Sequence, residues 1–295
     1  MSASTIFQRQ NEPEALLFAR AFRRRYTVAR RWRLARLGVS TVLGTVGVVL
    51  ALLEPSTGEY VSAAAAAWLL FGRVVLDIYE QRLRRDGAQA QELFDTHVLD
   101  LPWSSGTVGP RPIGEDVRNW ARRQSDTDLR DWYADTQTAQ HPVDALICQR
   151  STITWARQDH ANYAQFLRWA AGGIFFFTLV LGLALELTLS DYLLRLGLPM
   201  LPALLDIADI ARANSQVAQS KTRLESQATS LLERAETTGT PPTVGDCRQL
   251  QDGIYTTRLL PGVPNWMYWF TRKDRQQNME SVARAQVQRL PTALR

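Results

Sequence analysis

Four aromatic side chains and three arginines in this sequence have the types needed to hold a nucleotide. Trp103, Trp132, Tyr133 and Trp155 offer flat faces on which a base can stack. Arg150, Arg157 and Arg258 carry planar forks that meet a phosphate through two parallel hydrogen bonds. A second account of the same residues stands beside this one: tryptophans of a small helical domain form core, and arginines of a basic chain face water. Catalysis finds less support. His97, His141 and His160 are isolated, and no HExxH, GxGxxG or GxSxG pattern and no phosphate loop occurs. The Gly- and Pro-rich stretch 106–116 lacks the lysine of a phosphate loop and reads as a connection between helices. Cys148 and Cys247 lie far apart and flank no metal-type spacing, so they read as reduced thiols. No enzyme activity, metal or cofactor is expected.

Charges inside apolar stretches point to a different chemistry. Arg73, Glu186 and Arg195 interrupt runs that are otherwise long and apolar. A charge at such a place faces the inside of a helix assembly, pairs with another charge, or reaches out to the membrane interface. The runs themselves are four. Residues 37–53 carry no charge, and 61–78 are alanine-rich and broken by Arg73. Residues 169–189 include Phe175, Phe176 and Phe177, and 192–210 contain Pro199 and Pro202, which should kink or break that helix. Whether 61–78 spans completely is left open by its composition.

The averages of this 295-residue chain look soluble, with a mean hydropathy of -0.20, because apolar and charged residues are segregated. The net charge of +5 suits anionic lipid, a phosphate-bearing ligand or nucleic acid. Eight arginines fall between Arg20 and Arg36, immediately before the first apolar run, which favours a juxtamembrane role over a nucleic-acid arm. Both turns between paired runs, at 54–60 and around Ser190 and Asp191, lack lysine and arginine, whereas the flanks are basic. The positive-inside rule then places both termini and the middle block in the cytoplasm. The expected fold is an all-α membrane protein with two transmembrane helical hairpins and a helical cytoplasmic domain built from the middle and C-terminal segments. Its parts are a basic N-terminal helix (1–36), hairpin one (37–78), a sensor segment (79–168), hairpin two (169–210) and a C-terminal helical segment (211–295).

Several short motifs in fixed order resemble one family. They are RQN at Arg9 to Asn11, ELFDTHVLDLPW at 92–103, DWY at Asp131 to Tyr133, and CQR at Cys148 to Arg150 with Trp155. RQLQDGIYTTR at 248–258 and VPNWMYWFTR at 263–272 follow. The chain is similar to the four-transmembrane effectors associated with SMODS nucleotidyltransferases in bacterial cyclic-oligonucleotide anti-phage (CBASS) systems. It departs from the pattern at Ser104 and Asn265. The resemblance implies a multi-pass effector of the bacterial inner membrane, activated by a cyclic di- or trinucleotide from a partner nucleotidyltransferase. It also implies self-association, pore formation or membrane disruption, and arrest or death of the infected cell, with no direct nucleic-acid binding. A membrane scaffold that binds a cytoplasmic protein without gating is the alternative.

Overall fold

The computed structural model describes residues 5–126, 129–136, 139–264 and 272–295. Most of the aromatic motif, Asn265 included, therefore lies outside the described residues. Among those described, helix is the only regular structure: α1 (Ile6–Arg9), α2 (Pro13–Leu53), α3 (Gly58–Phe71), α4 (Asp77–Val98), α5 (Ser105–Val108), α6 (Gly114–Ala121), α7 (Val143–Ala184), α8 (Leu189–Tyr192), α9 (Leu198–Thr238), α10 (Val244–Arg258) and α11 (Arg272–Arg289). Local chemistry sets several of the starts. Thr5 with Gln8, and Thr243 with Asp246, close capping boxes ahead of α1 and α10. Pro13 opens α2, where its missing N–H costs nothing.

The chain divides into two compact units, and α2, α4, α7 and α9 each supply residues to both. The polar unit comprises 1–27, 83–160 and 216–295. Its core follows helical spacing: Ala90, Leu93, Phe94 and Val98 on α4, Leu224, Ala228, Leu232 and Ala235 on α9, and Cys247, Leu250 and Ile254 on α10.

The apolar unit comprises 28–82 and 161–215 and is built the other way round. Val42, Leu53, Phe176 and Leu183 are 60%, 77%, 66% and 72% exposed. A belt of this kind is untenable in water and suits lipid, where helices satisfy their own backbone. Its interior carries the polar groups. Ser40 Oγ donates to Asp206 at 2.8 Å and accepts from Trp68 Nε1 at 2.9 Å. Arg33 pairs with Glu80 at 2.7 Å, and Arg36 lies 3.5 Å from both Asp77 and Asp206. The helices also approach closely at Gly47, where a Cβ would stand 2.6 Å from Val61.

Among the described residues, three helices are long and apolar enough to cross a membrane: Pro13–Leu53, Gly58–Val98 and Val143–Ala184. The fourth run expected from sequence, 192–210, is not among them, because Arg195, Asp206 and Asp209 fall within it. The break expected at its prolines takes the form of a π turn, Leu193–Gly197, after which α9 continues through Pro202. A second π turn, Gly72–Leu76, joins α3 to α4 and contains Arg73. The Gly- and Pro-rich stretch is not all loop, since α5 and α6 occupy part of it. The N-terminal arginines also differ from expectation. Arg20, Arg25, Arg33 and Arg36 pair with carboxylates of the protein itself, which leaves them less available to headgroups.

Candidate functional site

The centre of the polar unit is a buried knot of charge. Glu92 and Asp95 stand one helical turn apart on α4, on the face that also carries the apolar core, and both are essentially unexposed. Three residues of α10 reach Glu92: Arg248 Nη2 donates to Oε1 at 2.6 Å, Gln251 Nε2 donates to Oε2 at 2.9 Å, and Arg258 Nη1 stands 3.5 Å from Oε2. Gln251 Nε2 also donates to Asp95 Oδ2 at 2.7 Å, and Arg258 Nη2 donates to the same oxygen. Tyr133 completes the ring with its hydroxyl donating to Asp95 Oδ1 at 2.7 Å. Arg248 further pairs with the partly exposed Asp252 at 2.9 Å.

The motifs close on one another through this knot. Gln10 binds the backbone of Tyr133 in both directions, accepting at 2.7 Å and donating at 3.3 Å, and Asn11 donates to Asp131 at 2.9 Å. Gln149 donates to Gln251 Oε1 at 3.0 Å. Ser104, one of the two departures from the family pattern, donates to Asp252 at 3.3 Å. RQN therefore meets DWY, and ELFD and CQR meet RQLQDGIYTTR. Each motif supplies a donor or acceptor that the others would otherwise leave bare in the interior.

Electrostatics follow from burial. Burial raises the Glu92 carboxyl above its usual range, with Arg258 opposing it most strongly. Burial and the neighbouring Asp95 push the Tyr133 hydroxyl well up. Burial works against the Arg258 charge, but Asp95, Tyr26 and Glu92 outweigh it and hold the guanidinium protonated. Lys221 of α9 is 5% exposed, and burial followed by Arg258 lowers its ammonium to about 7. Both cysteines are free and buried, and burial raises Cys247 to about 12 and Cys148 well above its ordinary value. Such thiols are inert. No group of three or more His, Cys, Asp or Glu is placed to hold a metal among the described residues. Each carboxylate oxygen of Glu92 and Asp95 accepts from at least one buried donor.

The seven residues read from sequence as ligand-binding all belong to the polar unit, but only two of them meet in the knot. Tyr133 and Arg258 converge on Asp95. Trp132 packs edge-on against Phe22 and Phe94, with centroids 5.3 and 6.3 Å away, and so is tied into the core. Trp103 Nε1 donates to the Gly109 carbonyl at 3.0 Å. Arg150 donates to Thr229 at 3.1 Å, and Arg157 pairs with Glu225 at 2.7 Å, so these two address α9. Trp155 is half-buried on α7. The three charges read as intramembrane all belong to the apolar unit. Arg73 pairs with Asp209, and Arg195 with Asp191 at 2.8 Å. Glu186 lies beyond the end of α7 in a left-handed turn, with φ of 52°. Sequence reading missed Glu92, Asp95, Arg248, Gln251, Tyr26 and Lys221. The signal for Glu92, Asp95, Arg248 and Gln251 is charged or amide side chains at helical spacing on a face that otherwise reads as core.

The exposed apolar belt and, among the described residues, three helices long and apolar enough to cross a bilayer are the features of an α-helical membrane protein. The chain belongs to the family of the SMODS-associating 4TM effector domain, which it matches over residues 4–286. It is 21% identical over 285 residues to a probable CBASS effector molecule of Bacillus cereus (strain VD146), covering 93% of this chain and 95% of that protein. No solved structure matches it.

Proposed function

We propose that this protein is the membrane effector of an anti-phage defence system, held inactive until a cyclic di- or trinucleotide binds its polar unit. Membership of the SMODS-associating effector family over nearly the whole chain carries this reading. The division into a polar unit rich in arginine and tryptophan and an apolar unit with lipid-compatible surfaces supports it. The polar unit and both termini face the cytoplasm of the inner membrane. Bound messenger favours one arrangement of the helices that the units share, and differential affinity for that arrangement is all that a switch requires. Self-association then lets the interior charges of the apolar unit, with Arg73, Glu186 and Arg195 among them, line or breach the bilayer. The protein acts by physical disruption and not by catalysis.

Dye release from liposomes containing the full-length protein tests this. Release is expected only when a matching cyclic oligonucleotide is added from the side of the polar unit. Release without ligand, or no release with any of the cyclic di- and trinucleotides, overturns it.

A further inference from the structure

The apolar unit carries its charge unevenly. Its two hairpin turns lie at one end, where Ser62 Oγ donates to the Leu194 carbonyl at 3.2 Å. That end is mostly acidic, with Glu54, Glu59, Glu186 and Asp191 against Arg195. The opposite end is rich in arginine, and its acids are Asp77, Glu80, Asp206 and Asp209. Glu80 is taken up by Arg33, and Asp77 and Asp206 by Arg36. What remains gathers along one ridge of α9, where Asp209, Arg212 and Ser215 follow at i,i+3 spacing. Arg73 of the π turn and Arg212 both pair with Asp209, the second at 3.6 Å, and Arg168 of α7 donates to Ser215 Oγ. Three exposed guanidinium groups thus line this face, with the carboxylate of Asp209 between two of them. Arg212 is 72% exposed.

The depth of the cluster points to its ligand. At about 1.5 Å per residue, Arg73 stands about 22 Å from the start of α3, and Arg168 about 24 Å from the end of α7. Arg212 stands about 35 Å from the start of α8 by the same measure, and Asp209 joins it to Arg73. A hydrocarbon layer about 30 Å thick gives way to headgroups at this level. Trp169, beside Arg168, is exposed, as suits an aromatic ring at a membrane interface. One turn further into the apolar run, Gly172 and Gly173 are exposed, and a Cβ on either would meet nothing within 4 Å. Gly172 shares a face of α7 with Arg168, so a notch bare of side chains lies beside the cations. A free phosphate suits the guanidinium groups but leaves that notch empty, whereas a phospholipid has an acyl chain to lay in it.

We infer that Arg73, Arg168 and Arg212 form a binding site for the headgroup of an anionic phospholipid, at the end of the apolar unit opposite its hairpin turns. The site depends on the membrane placement of this unit and not on any messenger. The lipid covers the face that carries Arg73, so self-association through that face would require it to leave. Headgroup contact expected of the N-terminal arginines falls instead to arginines of the π turn, α7 and α9.

The test uses the full-length protein in neutral detergent micelles, with bound lipid read by native mass spectrometry and stability by thermal midpoint. The probes are dioleoyl phosphatidylglycerol, dioleoyl phosphatidylcholine, glycerol 3-phosphate and inorganic phosphate. Only phosphatidylglycerol is expected to be retained and to raise the midpoint. Arg168→Gln combined with Arg212→Gln should weaken its binding roughly thirtyfold. Arg31→Gln combined with Arg82→Gln removes the same charge from exposed positions at the same end, outside the cluster, and should leave binding nearly unaltered. Asp209→Asn has the opposite sign: it removes the opposing carboxylate and should tighten binding about fivefold, where a purely structural role predicts no gain. These ion pairs are exposed and add little to folding, so the lipid-free midpoints should match the wild type. Equal losses in the two double variants would mean diffuse attraction to a basic surface, and equal responses to phosphatidylglycerol and glycerol 3-phosphate a site for free phosphate. A changed oligomeric state in the cluster variant, with lipid retention intact, would mean that a second copy of the chain covers this face. Any of these results overturns the site, as does equal retention of the two lipids.

Discussion

Both units bury ion pairs, but they do so against opposite surroundings. In the polar unit, Glu92, Asp95, Arg248 and Arg258 sit inside an apolar core whose outer surface meets water. In the apolar unit, Arg33 with Glu80 and Arg36 with Asp206 sit inside a bundle whose outer surface is leucine, valine and phenylalanine. A buried pair in a water-soluble core adds little over well-packed hydrophobic residues, and its worth lies in fixing one arrangement. A charge within a membrane unit has a narrower choice, because outside the bundle it meets hydrocarbon. The first knot is therefore a device for specificity, while the second is a condition of solubility in lipid.

That contrast can be broken at several points. The largest effect is expected at the knot. Arg258→Ala leaves Asp95 buried with less compensation and should destabilise the protein by about 3–5 kcal/mol, measured by chemical unfolding in detergent. On the belt the rule inverts, so that adding a charge does the harm. Phe176→Asp should make membrane insertion of α7 less favourable by about 3 kcal/mol, read by glycosylation mapping in microsomes. An aspartate placed instead at an exposed polar-unit position such as Gln227 should leave unfolding nearly unaltered.

Packing comes next. Gly47→Leu drives a side chain into Val61 and should cost about 1–3 kcal/mol, visible as a lower thermal midpoint. The smallest effect has the opposite sign. Lys221 titrates near 7 when folded against 10.5 ordinarily, so the folded state binds fewer protons than the unfolded state between those values. Its penalty is complete below pH 7 and is relieved as pH rises through that window. Lys221→Met should therefore raise the thermal midpoint at pH 6 by a few degrees, and the gain should shrink towards pH 9. A gain independent of pH would mean that Lys221 is protonated in the fold throughout.

The belt was the easiest part to read from the sequence, because residues 37–53 and 169–184 declare themselves by lack of charge alone. The division of the seven aromatic and arginine positions from Arg73, Glu186 and Arg195 between the two units was also legible from where the apolar runs fall. The knot was not. Arg248 and Glu92 are 156 positions apart, and nothing local marks either as the other's partner. Helical spacing places Glu92 and Asp95 among Leu93 and Phe94, where an acid looks like an interruption of a core face. The arginines before Leu37 misled for a related reason: density suggested a headgroup-facing helix, while carboxylates such as Glu80 and Asp206 wait on distant helices. Prolines at 199 and 202 correctly signalled an irregular helix, but the chain absorbs it as a π turn and continues.

Neither unit is a contiguous stretch of chain. The polar unit is assembled from three segments and the apolar unit from two, with four helices shared. No single recombination event can lift one unit out intact and graft it onto a different partner. Families built by shuffling cassettes pair old sensors with new outputs freely, and this architecture forbids that route. Diversification has to proceed by point changes within helices that serve both halves, so that a change made for one unit is also felt in the other.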